Sequence, residues 1–169
     1  MNPESTEGWR HLGMVQAEND NDRAAIASLL RAVEADSSNL EALLELGVSC
    51  TNELDQNQAL LFMHTWLEAH PVYRELVEGM DLPDYGDYRM LEHVTSQFKR
   101  AAAMNPDDGD VSSALGVLCN LSREYDEVIS FPAMKPLKHL TNMPYIVRPH
   151  RGSSNPSVST RRITLSGTN

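Results

Sequence analysis

Apolar and small residues return along this chain with two superimposed periods. The shorter is helical: Met90, Leu91, Val94, Phe98, Ala101 and Ala102, for example, fall on one face of a 3.6-residue turn. The longer is 34 residues without a gap. It matches Glu7 to Glu41, Leu12 to Leu46, Gly13 to Gly47, Ala25 to Ala59, Glu34 to Glu68 and Ala35 to Ala69. A large residue, then Leu-Gly, then Ala, then a closing Pro at this period is the tetratricopeptide pattern. It reads Trp9, Leu12, Gly13, Ala25, Leu29, Ala32 and Ser37 in one unit, and Leu43, Leu46, Gly47, Ala59, Met63, Trp66 and Pro71 in the next. Gly and Ala stand where the two helices of a hairpin cross closely, and a single hairpin cannot cover its own apolar face, so neighbouring units must stack.

The predicted fold is therefore all-α, with tetratricopeptide-repeat hairpins stacked as a partial superhelix and followed by a disordered C-terminal tail. The units run over about 6–39, 40–73, an irregular 74–108 and an incomplete 109–131, after a disordered start at 1–5. Leu46-Gly47-Val48 recurs as Leu115-Gly116-Val117, and Pro71 as Pro106, which leaves one altered unit between. Its first helix starts for a turn or two after Pro71, and 80–87 then reads as loop. Its second helix carries the Met90–Ala102 pattern. Asn21 or Asp22 can cap the second helix of the first unit. A last helix is expected near Glu124. There Pro132 stands where a large apolar residue belongs, Pro136, Pro144, Pro149 and Pro156 follow, and periodicity ends.

Charge divides the chain at the same place. Residues 1–131 hold all 24 acidic side chains and 8 of the 14 lysines and arginines, a formal charge of −16, whereas 132–169 hold six basic residues and no acidic one. A body of that sign repels nucleic acid and anionic membranes and attracts a basic ligand. Cys50 and Cys119 are too few for a disulfide framework and form no C-x-x-C pair, which fits a reducing compartment such as the cytosol. No run approaches the roughly 18 apolar residues of a membrane span, and the first residues do not resemble a signal peptide. The six histidines show no metal-ligand spacing, no Gly-rich phosphate loop is present, and no nucleophile–base pair suggests an enzyme. No cofactor is expected. Trp9 and Trp66 occupy large-residue repeat positions and are expected to pack between helices, as are the small apolar Cys50 and Cys119.

Within the repeat, residues 13–20 (GMVQAEND), 48–52 (VSCTN) and 115–125 (LGVLCNLSREY) resemble the receptor for the type-1 peroxisomal targeting signal, a Ser-Lys-Leu-type C-terminal tripeptide. The similarity covers roughly residues 8–131. It implies a ring of seven repeats in which inner-helix asparagines hold the targeting peptide, with cargo proteins and the peroxisomal docking machinery as partners of the full-length family member. It implies a cytoplasmic protein cycling to the peroxisomal membrane. Carried over by position, Val48, Thr51 and Asn52 match the segment touching the peptide, and Asp20 matches an acidic position near its basic side chain. Spacings of three and four let Val48, Thr51 and Asn52 converge on one ligand, and an Asn offers both donors and an acceptor to a peptide backbone. Read without the resemblance, Asn52 is a helix-end residue, Val48 a core residue and Asp20 a solvated turn. Because the match stops at Phe131, a partial receptor with impaired binding is expected. The alternative in the same architecture is an adaptor for the C-terminal tails of channels or chaperones, the chaperone case being disfavoured by the lack of paired basic residues at inner positions.

Overall fold

The computed structural model describes residues 5–122 apart from 81, 85 and 88. Among these residues there are six α-helices and no strand: α1 (Thr6–Glu18), α2 (Asp22–Ala35), α3 (Leu40–Asn52), α4 (Gln56–Ala69), α5 (Arg89–Met104) and α6 (Gly109–Ser122). The last expected helix, near Glu124, and the tail lie outside the described residues.

Each of the first four helices begins on a side chain that accepts from the first turn, the site where backbone N–H groups lack helical partners. Ser5 serves Gly8, Asn21 serves Ala24, Asn39 serves Ala42 and Asp55 serves Gln58. Ser5, placed by sequence in the start segment, is thus the cap of α1. Of the two residues that could cap α2, Asn21 does so, and Asp22 becomes free for another role.

The helices end alike as well. After α1 the amide of Asn21 donates to the Gln16 carbonyl (2.9 Å) and that of Asp20 to Ala17 (3.0 Å). After α3 the amide of Asp55 donates to Cys50 (2.9 Å) and that of Leu54 to Thr51 (3.1 Å). Both closures need a left-handed residue, and Asp20 (φ 60°) and Leu54 (φ 64°) supply it. These positions lie 34 residues apart, so the repeat period is written into the backbone as well as the core.

The repeat glycines sit at the helix crossings. A Cβ on Gly13 would lie 2.5 Å from Leu29 Cγ and 3.2 Å from the Ala25 carbonyl oxygen, and one on Gly47 would lie 2.5 Å from Met63 Cε. Glycine at these positions lets α1 approach α2, and α3 approach α4, this closely. Ala25, Leu29, Ala32, Ala59, Met63 and Trp66 are all fully buried.

The irregular unit keeps only one full helix. Its first is reduced to a single 3-10 turn at Arg74–Leu76, within the turn or two expected from the sequence. Trp66 of α4 organises what remains: its ring stacks on Phe98 of α5 (centroids 5.6 Å) and on Tyr73 (5.9 Å) and meets His70 at a tilt (4.7 Å). Such pairs add about 0.5–1.5 kcal/mol each beyond burial. The Tyr73 hydroxyl donates to Asp108 Oδ2 (2.7 Å), tying the chain after α4 to the residue before α6. With the inner helix of this unit missing, α6 packs against α3 as well as α5. Val48 and Val117 consequently share one buried cluster. No described helix is long and apolar enough to cross a membrane.

Candidate functional site

The four residues singled out by sequence occupy two settings. Val48 (6% exposed) and Thr51 (4% exposed) are buried, and the Thr51 hydroxyl donates to the Gly47 carbonyl at 2.8 Å. Asn52 and Asp20 sit at the edge of the packed region: Asn52 is half-buried on the last turn of α3, and Asp20 is exposed in the left-handed turn after α1.

The structure joins Asn52 to a residue that the sequence marks only as a candidate cap. Asn52 Nδ2 donates to Asp22 Oδ1 at 3.1 Å, and one position along, Arg23 pairs with Glu53 at 2.7 Å. These two bridges fasten the end of α3 to the start of α2. Asn21 already fills the cap, so the Asp22 carboxylate can turn across to α3. The Asn52 carbonyl oxygen Oδ1 is buried and accepts no hydrogen bond. An orphan acceptor of this kind costs about 1–3 kcal/mol, a cost that a donor from a bound group would remove.

The segment Gln16–Asn19, which carries part of the family likeness, has structural work of its own. Gln16 Oε1 accepts from Ser28 Oγ at 2.6 Å, pinning α1 to α2, and Asn19 Nδ2 donates to the Val15 carbonyl at 2.7 Å to close the helix end.

Two turns before Asn52 on the same helix lies Glu45, whose Oε2 is buried without a partner. Burial pushes its carboxyl up to about 7; Arg10 opposes the rise, and Glu18, Glu41 and Asp110 add to it. Arg10 is itself engaged by Glu7 and Glu41. Asp110 is raised for the same first reason, burial, reinforced by Asp108 and Glu41. Helices α1 and α6 both pack on α3 and therefore bring Glu18, Glu41 and Asp110 within electrostatic range of Glu45, with Arg10 among them. Nothing in the sequence pattern marks Glu45.

Both cysteines are buried thiols, and burial pushes Cys50 up to about 12, which makes it a poor nucleophile. Among the described residues no group of three His, Cys, Asp or Glu side chains could hold a metal ion.

Stacked helical hairpins of the tetratricopeptide type, with acidic side chains gathered around Glu45 and an orphaned carboxamide at the end of α3, define the class of this protein. No protein-family model matches the chain. Comparison with individual proteins is more specific. The chain is 49% identical over 129 residues to Peroxisome biogenesis protein 5 of Arabidopsis thaliana, an alignment covering 76% of this chain and 17% of that protein. It is 37% identical over 137 residues to the Peroxisomal targeting signal receptor of Yarrowia lipolytica (76% of this chain, 23% of that protein). It is 36% identical over 138 residues to the human PEX5-related protein (75% and 22%). Over about three quarters of its length the chain is homologous to proteins named as peroxisomal targeting signal receptors. It spans only about a fifth of the length of these relatives.

Proposed function

We propose that this chain is part of an import receptor for peroxisomal matrix proteins and that it contacts the Ser-Lys-Leu-type C-terminal signal of its cargo. The observation that carries this reading is Asn52: its half-buried carboxamide keeps an unsatisfied Oδ1, aligned by Asp22, at the end of the helix that also holds Val48 and Thr51. A peptide N–H is the donor that such an oxygen lacks. Val48 and Thr51 are assigned the apolar backing of this helix end, and Asp20, with the acidic side chains on α1, α3 and α6, the attraction for a basic residue in the signal. The receptor names of the relatives support a non-enzymatic role. On this reading the protein works in the cytoplasm, cycles to the peroxisomal membrane and meets the docking machinery there.

One wall of a binding ring offers few contacts, so the isolated chain should bind weakly, with a Kd above about 10 μM. Fluorescence anisotropy with a labelled peptide ending in Ser-Lys-Leu, against the same peptide with a C-terminal amide and a scrambled control, tests this. Asn52→Leu should weaken whatever binding is seen by about tenfold. Equal affinity for the scrambled peptide, or an unchanged affinity of Asn52→Leu, would remove the basis of the assignment.

A further inference from the structure

Across the contact between α4 and α5 runs a hydrogen-bonded chain that the peptide-binding reading does not use. His64 of α4, 4% exposed, sets its Nδ1 at 3.0 Å from Gln97 Oε1 of α5; Gln97, 1% exposed, sets its Nε2 at 2.9 Å from His93 Nε2, one turn earlier on the same helix. The other nitrogen of His64 faces Glu68 Oε1 at 3.6 Å. His93 opens on a shallow cleft shared with Asp84, Arg89, Glu92 and Ser96.

A carboxamide has one accepting end and one donating end, so a Gln held between two imidazoles fixes both of their proton positions at once. In the orientation present, Gln97 Oε1 receives the His64 Nδ1 proton and Gln97 Nε2 donates to a bare His93 Nε2. A proton added to His93 Nε2 would confront the Gln97 NH₂ group, donor against donor. Turning the amide over relieves this: Oε1 then accepts from His93, and the NH₂ group requires a bare Nδ1 on His64. His64 must then carry its proton on Nε2, where Glu68 is the acceptor.

We propose that His64, Gln97 and His93 form a proton-operated latch across the α4–α5 contact, in which proton uptake at His93 Nε2 reverses the Gln97 carboxamide and moves the His64 proton from Nδ1 to Nε2. The balance is one proton taken from solvent by His93; His64 exchanges one N–H for another and stays neutral, and no covalent bond of Gln97 changes. The groups around the latch are Glu68 on α4, Arg89 and Glu92 on α5 and Asp84 on the preceding loop. Burial holds the His93 transition below the ordinary histidine value of 6.5. Mild acidification thus changes the hydrogen bonding of the joint on which the irregular unit hangs.

Long-range proton–nitrogen NMR on the full chain reads the position of each imidazole proton directly. From neutral pH down to about pH 5, His64 should pass from the Nδ1–H to the Nε2–H form with the midpoint of the His93 titration, the two agreeing within about half a pH unit. A His64 tautomer that stays fixed while His93 titrates would overturn the latch. Gln97→Leu should abolish the linkage, and a linkage that survives in it would equally refute the proposal; if that variant does not fold, the wild-type titration alone decides. Glu68→Gln, an exposed change, should lower the shared midpoint, and an unmoved midpoint would refute the role given to Glu68.

Discussion

Replacing Glu45 by Gln should make the protein more stable at alkaline pH and leave it nearly unchanged in acid. Glu45 is a carboxyl group whose protonated form is favoured in the folded state: burial raises it from the ordinary value of 4.5 to about 7. The folded state therefore holds a proton that the unfolded chain releases. Stability falls as pH rises from 4.5 to 7, and the full penalty applies above 7. At about 1.36 kcal/mol per unit the ceiling is about 3 kcal/mol. Gln keeps the shape without the charge, so Glu45→Gln should gain up to about 3 kcal/mol at about pH 8 and almost nothing near pH 4.5. Its own carboxamide needs partners in a place where Glu45 Oε2 has none, which trims the gain. Urea denaturation followed by far-UV circular dichroism supplies the comparison, taken as variant minus wild type at each pH. That difference cancels the contribution of His93, whose lowered value acts in the opposite sense, costing stability as pH falls below 6.5. A difference that is the same at both pH values, or a variant less stable than wild type in the alkaline sample, would refute the burial argument.

Other expectations can be checked by the same unfolding assay. Gly13→Ala drives a methyl against the branched carbon of Leu29 and the Ala25 carbonyl and should cost about 1–3 kcal/mol, whereas Gly47→Ala meets the flexible end of Met63 and should cost less. Leu54→Gly should raise stability by about 0.5–1 kcal/mol, because Leu54 is 74% exposed and held at φ 64°, with Leu54→Ala as the control that gains nothing. Trp66→Ala should cost about 3–5 kcal/mol and loosen the irregular unit first, since it empties the centre of the aromatic stack.

The regular part of this architecture is legible in the sequence because its determinants are local or repeat at a fixed interval. Gly13 and Gly47, Ala25 and Ala59, and the capping Asn and Asp residues announce the hairpins by their spacing alone. Asp20 and Leu54 belong to the same period, yet Leu54 hides it, since leucine is no marker of a left-handed turn. The irregular unit is readable as a break at 80–87, but its outcome is not. That α6 settles on α3 depends on how much of a helix survives after Pro71, which no local pattern encodes. Val48 is legible as a core residue, but that it shares its cluster with Val117 follows from that contact and is invisible in the pattern. Asp22 carries no mark as a partner of Asn52 because a side-chain bridge between residues 30 apart has no periodic signal, and only the choice of Asn21 as cap leaves it free.

The seating of α6 on α3 also bears on how the structure comes apart. In an ordinary stack each repeat touches only its neighbours, and the array can fray from either end one unit at a time. Here a contact leaps over the shortened unit and closes a loop in the chain. Among the described residues, the segments α3 to α6 are thereby bound into one cooperative block, and α1 and α2 remain as a simple appendage. Native-state hydrogen exchange should show the amides of α4, α5 and α6 opening together, with those of α1 released at lower free energy.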